Sequence, residues 1–192
     1  MSGRSVVSCT CECNQLYRQL FHLTTISFNN SCGNVKPMAT KWLTETEQES
    51  WRNYILTAHD LAMALEADLA PHGLSMGDYE VLVWLSEAEE NRMRMCDLAQ
   101  SLQLSPSGLT RRLDGMVRSG WVDRASCASD RRVMYAHLTP AGRAKMDEAA
   151  PTHVASVRRH VLEPLGPEGV AQLGELFGRV RNHLLRHELT RS

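Results

Sequence analysis

The sequence lacks the features by which most enzymes and membrane proteins are recognised. No stretch approaches the roughly 18 uninterrupted apolar residues that a membrane span needs. The N-terminus has one early basic residue, Arg4, and no apolar core before a small-residue cleavage site, so no secretory signal is predicted. A Gly-rich phosphate loop, a His-Glu-x-x-His motif, a nucleophile elbow and a catalytic Cys/His pair are also absent. We therefore expect a cytoplasmic protein that is not an enzyme and uses no cofactor.

Excess charge of either sign is also missing, but the charges are unevenly distributed. The chain has 21 Lys and Arg against 22 Asp and Glu, which gives a formal net charge of −1. Between Ser105 and Lys145 there are eight Arg and Lys against three Asp. This local surplus of positive charge predicts an anionic partner for one segment of the chain.

Neither a disulfide framework nor a metal site is predicted. In a reducing compartment the six cysteines should be free thiols. The Cys9-x-Cys11-x-Cys13 run lacks the two-residue gap of common zinc motifs, and no second half follows it. His183 and His187 are four residues apart on a predicted helix, but no further ligand accompanies them. We expect that pair to lie on a solvated face.

Residues 1–37 differ from the rest, because they are rich in Ser, Thr, Asn and Cys and have little helical periodicity. They are predicted to be a disordered extension, or Met38 is the natural start of the protein. Residues 38–192 are predicted to form one domain, without internal repeats.

Most of that domain is predicted to be helical. Thr44 with Glu47 is a capping box, and apolar residues then recur at helical spacing as far as Leu69. A second helix is predicted from Ser75 to about Glu87. Long helices also follow the central segment, within about 140–187, with a break at 164–167. The first and last helices carry apolar stripes that a small domain cannot cover alone, which predicts dimerisation through about 44–70 and 140–187.

The central segment predicts a helix-turn-helix at about 95–119 and a β-hairpin at about 120–139. Ser105-Pro106 is an N-cap followed by proline, and Gly120 ends the helix. Leu109, Leu113, Met116 and Val117 should face inward, with small hydroxyl and arginine side chains opposite them. Such a face can enter the major groove of DNA, and arginines on a neighbouring hairpin can reach the minor groove. Asp130 is expected to orient a wing arginine or to cap the loop turn.

With these motifs the sequence resembles the MarR family of bacterial regulators. The signature Asp130-x-Arg132, then five residues, then Leu138-Thr139 is typical of the family's wing, and Leu104-Ser105-Pro106-Ser107 and Gly120-Trp121-Val122 are similar to it as well. The resemblance implies a mainly α fold with a small β-hairpin wing, in which a winged helix-turn-helix lobe joins a helical dimerisation region. It also implies a transcriptional regulator, in most such cases a repressor, that binds near-palindromic duplex DNA as a homodimer.

The resemblance also implies which residues do this work. Recognition-helix contacts would be Ser105, Ser107, Thr110 and Arg111, with Arg132 as the wing arginine and Arg112 and Arg131 as contacts to the DNA backbone. Relatives often release DNA when a small anionic or phenolic effector binds between the dimer helices and the winged lobe. The side chains that could line this pocket are Tyr54, His59, Tyr79 and Trp84.

Two alternatives remain open. Cys96, expected at the cap before the third helix, or Cys127, on the wing, could make the protein a redox-responsive regulator. The winged helix could instead bind another protein and not DNA.

Overall fold

The computed structural model describes residues 41–126, 130 and 132–189. The chain divides into two compact units, Met1–Trp42 and Leu43–Ser192, and every element below belongs to the second. The predictions for residues 1–37, including the cysteines there, lie outside the described residues. Within the described ranges, no helix is long and apolar enough to cross a membrane.

Two helices begin at capping boxes, the first of which was predicted from the sequence. α1 spans Glu45–Leu69, and the Thr44 hydroxyl accepts the Glu47 N–H while the Glu47 carboxylate accepts the Thr44 N–H. A 3-10 turn over Ala70–His72 ends at Gly73, whose φ of 67° needs a residue without a Cβ. α2 spans Met76–Glu87 and is capped in the same reciprocal way by Ser75 and Asp78. These reciprocal bonds satisfy N–H groups that the helices themselves leave unpaired.

A short strand that the sequence did not predict precedes the helix-turn-helix. β1 spans Arg92–Arg94 and pairs with the hairpin, where the sequence had indicated only a polar link. α3 then spans Met95–Ser101, so it begins directly from β1 and at the predicted start of the helix-turn-helix, about residue 95. Arg94 is therefore the N-cap, and the expectation that Cys96 occupies the cap is wrong. α4 spans Pro106–Arg118, with Ser105 as N-cap and Gly120 at φ 72° just after its end.

The sheet has three antiparallel strands in the order β1-β3-β2. β2 spans Val122–Ser126 and β3 spans Met134–Leu138, and Arg124 pairs with Ala136 across the hairpin. Val122 and Ala136 are fully buried. This face of the sheet therefore packs inward.

Two long helices complete the domain. α5 spans Pro140–Val157 and continues through a π-helical turn at Arg158–Leu162 into α6, Glu163–Leu189. Gly166 interrupts α6 at φ 63°, inside the predicted break at 164–167. The buried core lies in the winged lobe, where α2, α3 and α4 pack on the sheet, and its largest members are Leu69, Leu82, Leu85, Leu98, Leu109, Leu113 and Met116. The fold is mainly helical with a small β wing, as the sequence predicted.

Candidate nucleic-acid interface

One face of α4 is buried and the other is open to solvent. Leu109, Leu113 and Met116 are at most 1% exposed. Val117 was predicted to face inward too, but it is 37% exposed because it lies at the margin of the buried stripe. The exposed side chains of α4 and its cap, apart from Val117, are those of Ser105, Pro106, Ser107, Thr110, Arg111 and Arg118.

The N-terminal end of this open face is compact and polar. The Ser105 hydroxyl accepts the Gly108 N–H at 3.1 Å and lies 3.2 Å from the Ser107 hydroxyl. One turn later the Thr110 hydroxyl donates to the Pro106 carbonyl at 2.9 Å. Small side chains here let the helix approach a groove wall closely, and the helix N-terminus favours a phosphate.

Arg111 and Arg112 have different surroundings. Arg111 is exposed, whereas Arg112 is only partly exposed. The Arg112 guanidinium lies against Gly77 in the first turn of α2, so closely that a Cβ on Gly77 would fall 1.3 Å from Nη1. Arg112 therefore packs between α4 and α2.

The tip of the hairpin is ordered by Asp130. Its Oδ1 accepts the backbone N–H of Arg132 at 3.0 Å, and its carbonyl accepts the N–H of Val133 at 3.0 Å. This is the side-chain turn that Asp favours, and it holds Arg132 in an exposed position. Arg131 and Cys127 lie outside the described residues.

Sequence reasoning missed a contact between the wing and α4. Arg124 of β2 donates from Nη1 to Asp114 Oδ1 at 2.8 Å and from Nη2 to the Thr110 carbonyl at 2.8 Å. The alternation of β2 could have indicated the contact, because Val122 and Arg124 share one face of the strand.

The beginning of α5 is fixed to the base of the wing. The Thr139 hydroxyl donates toward the carbonyls of Gly120 and Trp121, at 2.7 and 3.1 Å, and accepts the Gly142 N–H at 3.0 Å. Gly142 is buried against Trp121, so that a Cβ would lie 2.1 Å from the Trp121 carbonyl oxygen. The helix that leaves the lobe is thus closely packed against the end of α4 and the start of β2.

An aromatic face joins α1 to α6. The Trp51 and Tyr54 rings lie 5.6 Å apart, and the Tyr54 and Phe177 rings lie 5.4 Å apart. All three are 43–50% exposed, and the apolar side chains beside them on α6 are equally open: Leu176, Val180, Leu184 and Leu185. We call these seven residues the aromatic face.

The four side chains predicted to line an effector pocket have different neighbours. Tyr54 belongs to the aromatic face, whereas Tyr79 is buried in the core with its ring 4.6 Å from that of His153. Burial raises the pKa of the Tyr79 phenol and lowers the pKa of His153, so it favours the neutral form of each ring. Trp84 is 40% exposed on α2, and His59 is exposed on α1. The contacts of Tyr54 and of Tyr79 do not join the two residues into one cluster.

The redox alternative applies, among the described residues, to Cys96. Cys96 is exposed, and its thiol donates to Asp97 Oδ1 at 3.2 Å. Within the described part of the chain, no three His, Cys, Asp or Glu side chains are grouped so that they could hold a metal ion.

Comparison with known proteins identifies relatives of one kind. The model of the MarR family matches residues 74–134, which include α2, α3, α4 and most of the wing. The HTH-type transcriptional repressor YetL of Bacillus subtilis (strain 168) is 31% identical over 120 residues, which are 60% of this chain and 71% of that protein. The HTH-type transcriptional regulator PecS of Dickeya dadantii (strain 3937) is 29% identical over 125 residues, 65% of this chain and 75% of its own length.

Two solved structures match a larger share of this chain than the two relatives above do. AbsC, a MarR family transcriptional regulator from Streptomyces coelicolor, has a TM-score of 0.72 and 46% identity, and the match covers 76% of this chain and 98% of AbsC. Sco3205, from the same organism and solved in complex with DNA, has a TM-score of 0.71 and 37% identity over 74% of this chain and 94% of its own.

Proposed function

This chain belongs to the MarR family of transcriptional regulators, and from that premise we propose that it binds duplex DNA in a sequence-specific manner as a homodimer and represses transcription. In this proposal α4 reads base edges in the major groove and the wing enters the neighbouring minor groove. A small anionic or phenolic effector releases the protein from DNA.

The observation that carries this proposal is the open face of α4 beside an ordered wing. Both elements belong to one lobe, and Arg124 ties them together directly. Arg111 and Arg118 are exposed on α4, and Arg132 is exposed on the wing. A basic helix face next to a basic hairpin suits two adjacent grooves of one duplex. The relative Sco3205 was solved in complex with DNA, which supports DNA binding by this chain.

We assign the contacts to three groups. Thr110 and Arg111 are the proposed base-edge contacts, and Arg132 is the proposed minor-groove arginine. Ser105 and Ser107, at the N-terminus of α4, suit a phosphate. Arg131 is proposed as a backbone contact. Arg112 is also proposed as a backbone contact. In the structure its guanidinium lies against Gly77 of α2, so it would have to turn away from α2 to reach a phosphate.

The proposed homodimer rests on the aromatic face. The aromatic face exposes seven large apolar side chains, each 43–58% exposed. Large exposed apolar patches on soluble proteins mark interaction sites. The predicted dimerisation helices are the helices that carry it, α1 and α6. A twofold copy of the same surface would cover all seven side chains at once.

The proposed repression and effector response rest on a relative and on the predicted pocket. The relative YetL is named a repressor. The proposed pocket takes its side chains, Tyr54, His59, Tyr79 and Trp84, from α1 and α2. Effectors of this kind should shift DNA affinity by on the order of 1–3 kcal/mol.

The test is the salt dependence of binding to DNA flanking the protein's own gene. Binding would be measured by fluorescence anisotropy, with a scrambled duplex of equal length as control. If about six phosphates are contacted, we expect the affinity to fall by ~10³-fold between about 50 and 200 mM salt. A protein-binding winged helix would show no salt-dependent affinity for either duplex, and that result would overturn the proposal. Repeating the titration with a panel of phenolic acids tests the effector response.

A further inference from the structure

Arg124 lies between the two elements that the proposed function assigns to DNA. We propose that Arg124 is a positioning residue: it fixes α4 relative to the wing, so that Arg111 and Arg132 can reach their grooves together, and it does not touch DNA itself. This inference rests on the proposed function, and it adds a residue that neither the wing signature nor the helix face had indicated.

The position of Arg124 follows from the register of the sheet. Arg124 pairs with Ala136, which is fully buried, so its side chain extends from the inner face of β2 toward α4. The side chain of Arg124 is 25% exposed, against 47% for Asp114. The guanidinium therefore lies beneath the recognition helix and not on its open face.

Both hydrogen-bond acceptors of Arg124 belong to α4. Nη1 donates to Asp114 Oδ1 and Nη2 donates to the Thr110 carbonyl, each at 2.8 Å. These two positions are about one helical turn apart, so one planar group holds the helix at two points along its length. Charge-assisted bonds of this geometry are stronger than neutral ones. The pair restricts both sliding and rotation of α4 against β2.

The planar fork of the guanidinium makes the arrangement specific to arginine. Arg124 Nε is buried and has no partner among the described residues. An unpaired buried N–H costs free energy, so the two bonds to α4 have to offset it. Lysine has one nitrogen and no planar fork, and it cannot reproduce both bonds at once. A lysine at this position would keep the charge and lose the double attachment.

The change in DNA affinity on losing the Asp114 carboxylate distinguishes a positioning role of Arg124 from a direct DNA contact. Asp114 is an anion beside the proposed DNA surface, so its loss should strengthen binding if electrostatics alone mattered. If Asp114 instead holds Arg124 in place, its loss should weaken binding. Asp123 offers a matched control, because it is an exposed carboxylate next to Arg124 on the same strand.

The experiment measures operator affinity for Asp114→Asn, Arg124→Lys, the double variant and Asp123→Asn. All measurements are made below the melting midpoint of each variant, which circular dichroism gives. We expect Asp114→Asn and Arg124→Lys each to weaken binding on the order of tenfold, and the double variant to lose no more than one of them, since they break a single contact. Asp123→Asn should bind as the wild type or slightly more tightly.

Salt dependence supplies the second measurement. Arg132→Met, which removes a proposed direct contact, should reduce the salt slope by about one. Arg124→Met, which removes the same charge from the proposed positioning residue, should leave the slope unchanged, because Arg124 contacts no phosphate. If the wild type binds DNA with the expected salt dependence, tighter binding by Asp114→Asn or additive losses in the double variant would overturn the proposed positioning role. Absence of salt-dependent binding by the wild type would instead overturn the proposed function.

Discussion

Arg111 and Arg112 are neighbours in the chain, yet only Arg111 is free of the protein core. A helical wheel separates the two faces of α4, but it cannot show that the Arg112 guanidinium finds space over Gly77. That space exists because glycine lacks a Cβ at the point where two helices approach each other. At this scale the sequence predicts which face a residue belongs to, and the neighbouring element decides what the side chain contacts.

Arg111→Ala should weaken operator binding by about 1–3 kcal/mol and relax the preference for one base pair. The exposed guanidinium has the length to reach a guanine edge, which is the commonest specific contact of arginine. Affinities for a set of operators with single base changes would measure this. The same measurements on Arg118→Ala, which removes another exposed arginine of α4 one turn beyond Asp114, serve as the comparison. An equal loss on every duplex would assign Arg111 to the DNA backbone.

At the scale of elements, the predicted helices agree with the structure because their ends carry local signals. Thr44, Ser75, Ser105 and Thr139 are all N-caps, and their hydroxyls bond the first turn in the same chain segment. β1 had no such signal. Its three residues form a strand only because they pair with β3, more than forty residues away. Pairing with a distant partner leaves little trace in a short sequence window.

Gly142→Ala should destabilise the protein by about 1–3 kcal/mol, because the added methyl group would meet the Trp121 carbonyl and force α5 away from the wing. Thermal unfolding measures the change. Gly115→Ala is the matched control, since the new Cβ would meet only Arg118 Nη2, at 4.0 Å. We expect that control to unfold at the same or a higher temperature, because alanine favours a helix interior. Equal effects of the two substitutions would contradict the close contact at Gly142.

The packing of α1 on α5 should depend on acid pH through Asp68. A hydrogen bond from Ser156, aided by Arg159 and His160, lowers the pKa of Asp68 below its usual value of 3.8. A lowered carboxyl pKa stabilises the fold fully above 3.8, and this contribution is lost as the pH falls through the still lower folded value.

Asp68→Asn should therefore melt at a lower temperature than the wild type at about pH 6, and the difference should shrink toward about pH 3. Differential scanning calorimetry across this range measures it. Glu163→Gln, which removes an exposed carboxylate from α6, should show no such convergence. A constant difference between the wild type and Asp68→Asn at every pH would refute the assignment to the Asp68 carboxylate.

At the scale of the whole molecule, the core of the winged lobe is closed and the aromatic face is open. The sequence predicted both, since apolar stripes on three long helices exceed what one small lobe can cover. It could not predict the pairing of Tyr54 with Phe177, because the two lie on separate helices whose crossing depends on packing and not on periodicity. The proposed pocket residues show the same limit, since helical spacing alone could not separate buried Tyr79 from exposed Tyr54.

Phe177→Asp should convert the proposed dimer into a monomer, because a carboxylate at the centre of an apolar interface would be buried without a partner. Light scattering would then give a mass near the 21.6 kDa of one chain and not twice that value. Asn182→Asp adds the same charge to the opposite side of α6, and it should leave the mass of the assembly unchanged. A wild type that is itself monomeric at micromolar concentration would exclude the dimer.

The aromatic face has a consequence for how such a regulator would act in a growing cell. If two chains must meet before an operator is filled, occupancy at low abundance follows the square of the chain's concentration, so that halving the protein lowers occupancy about fourfold. Dilution by cell division would then relieve repression more sharply than it would for a monomeric repressor of equal affinity. A few exposed rings on α1 and α6 would thereby set the threshold at which the target gene switches.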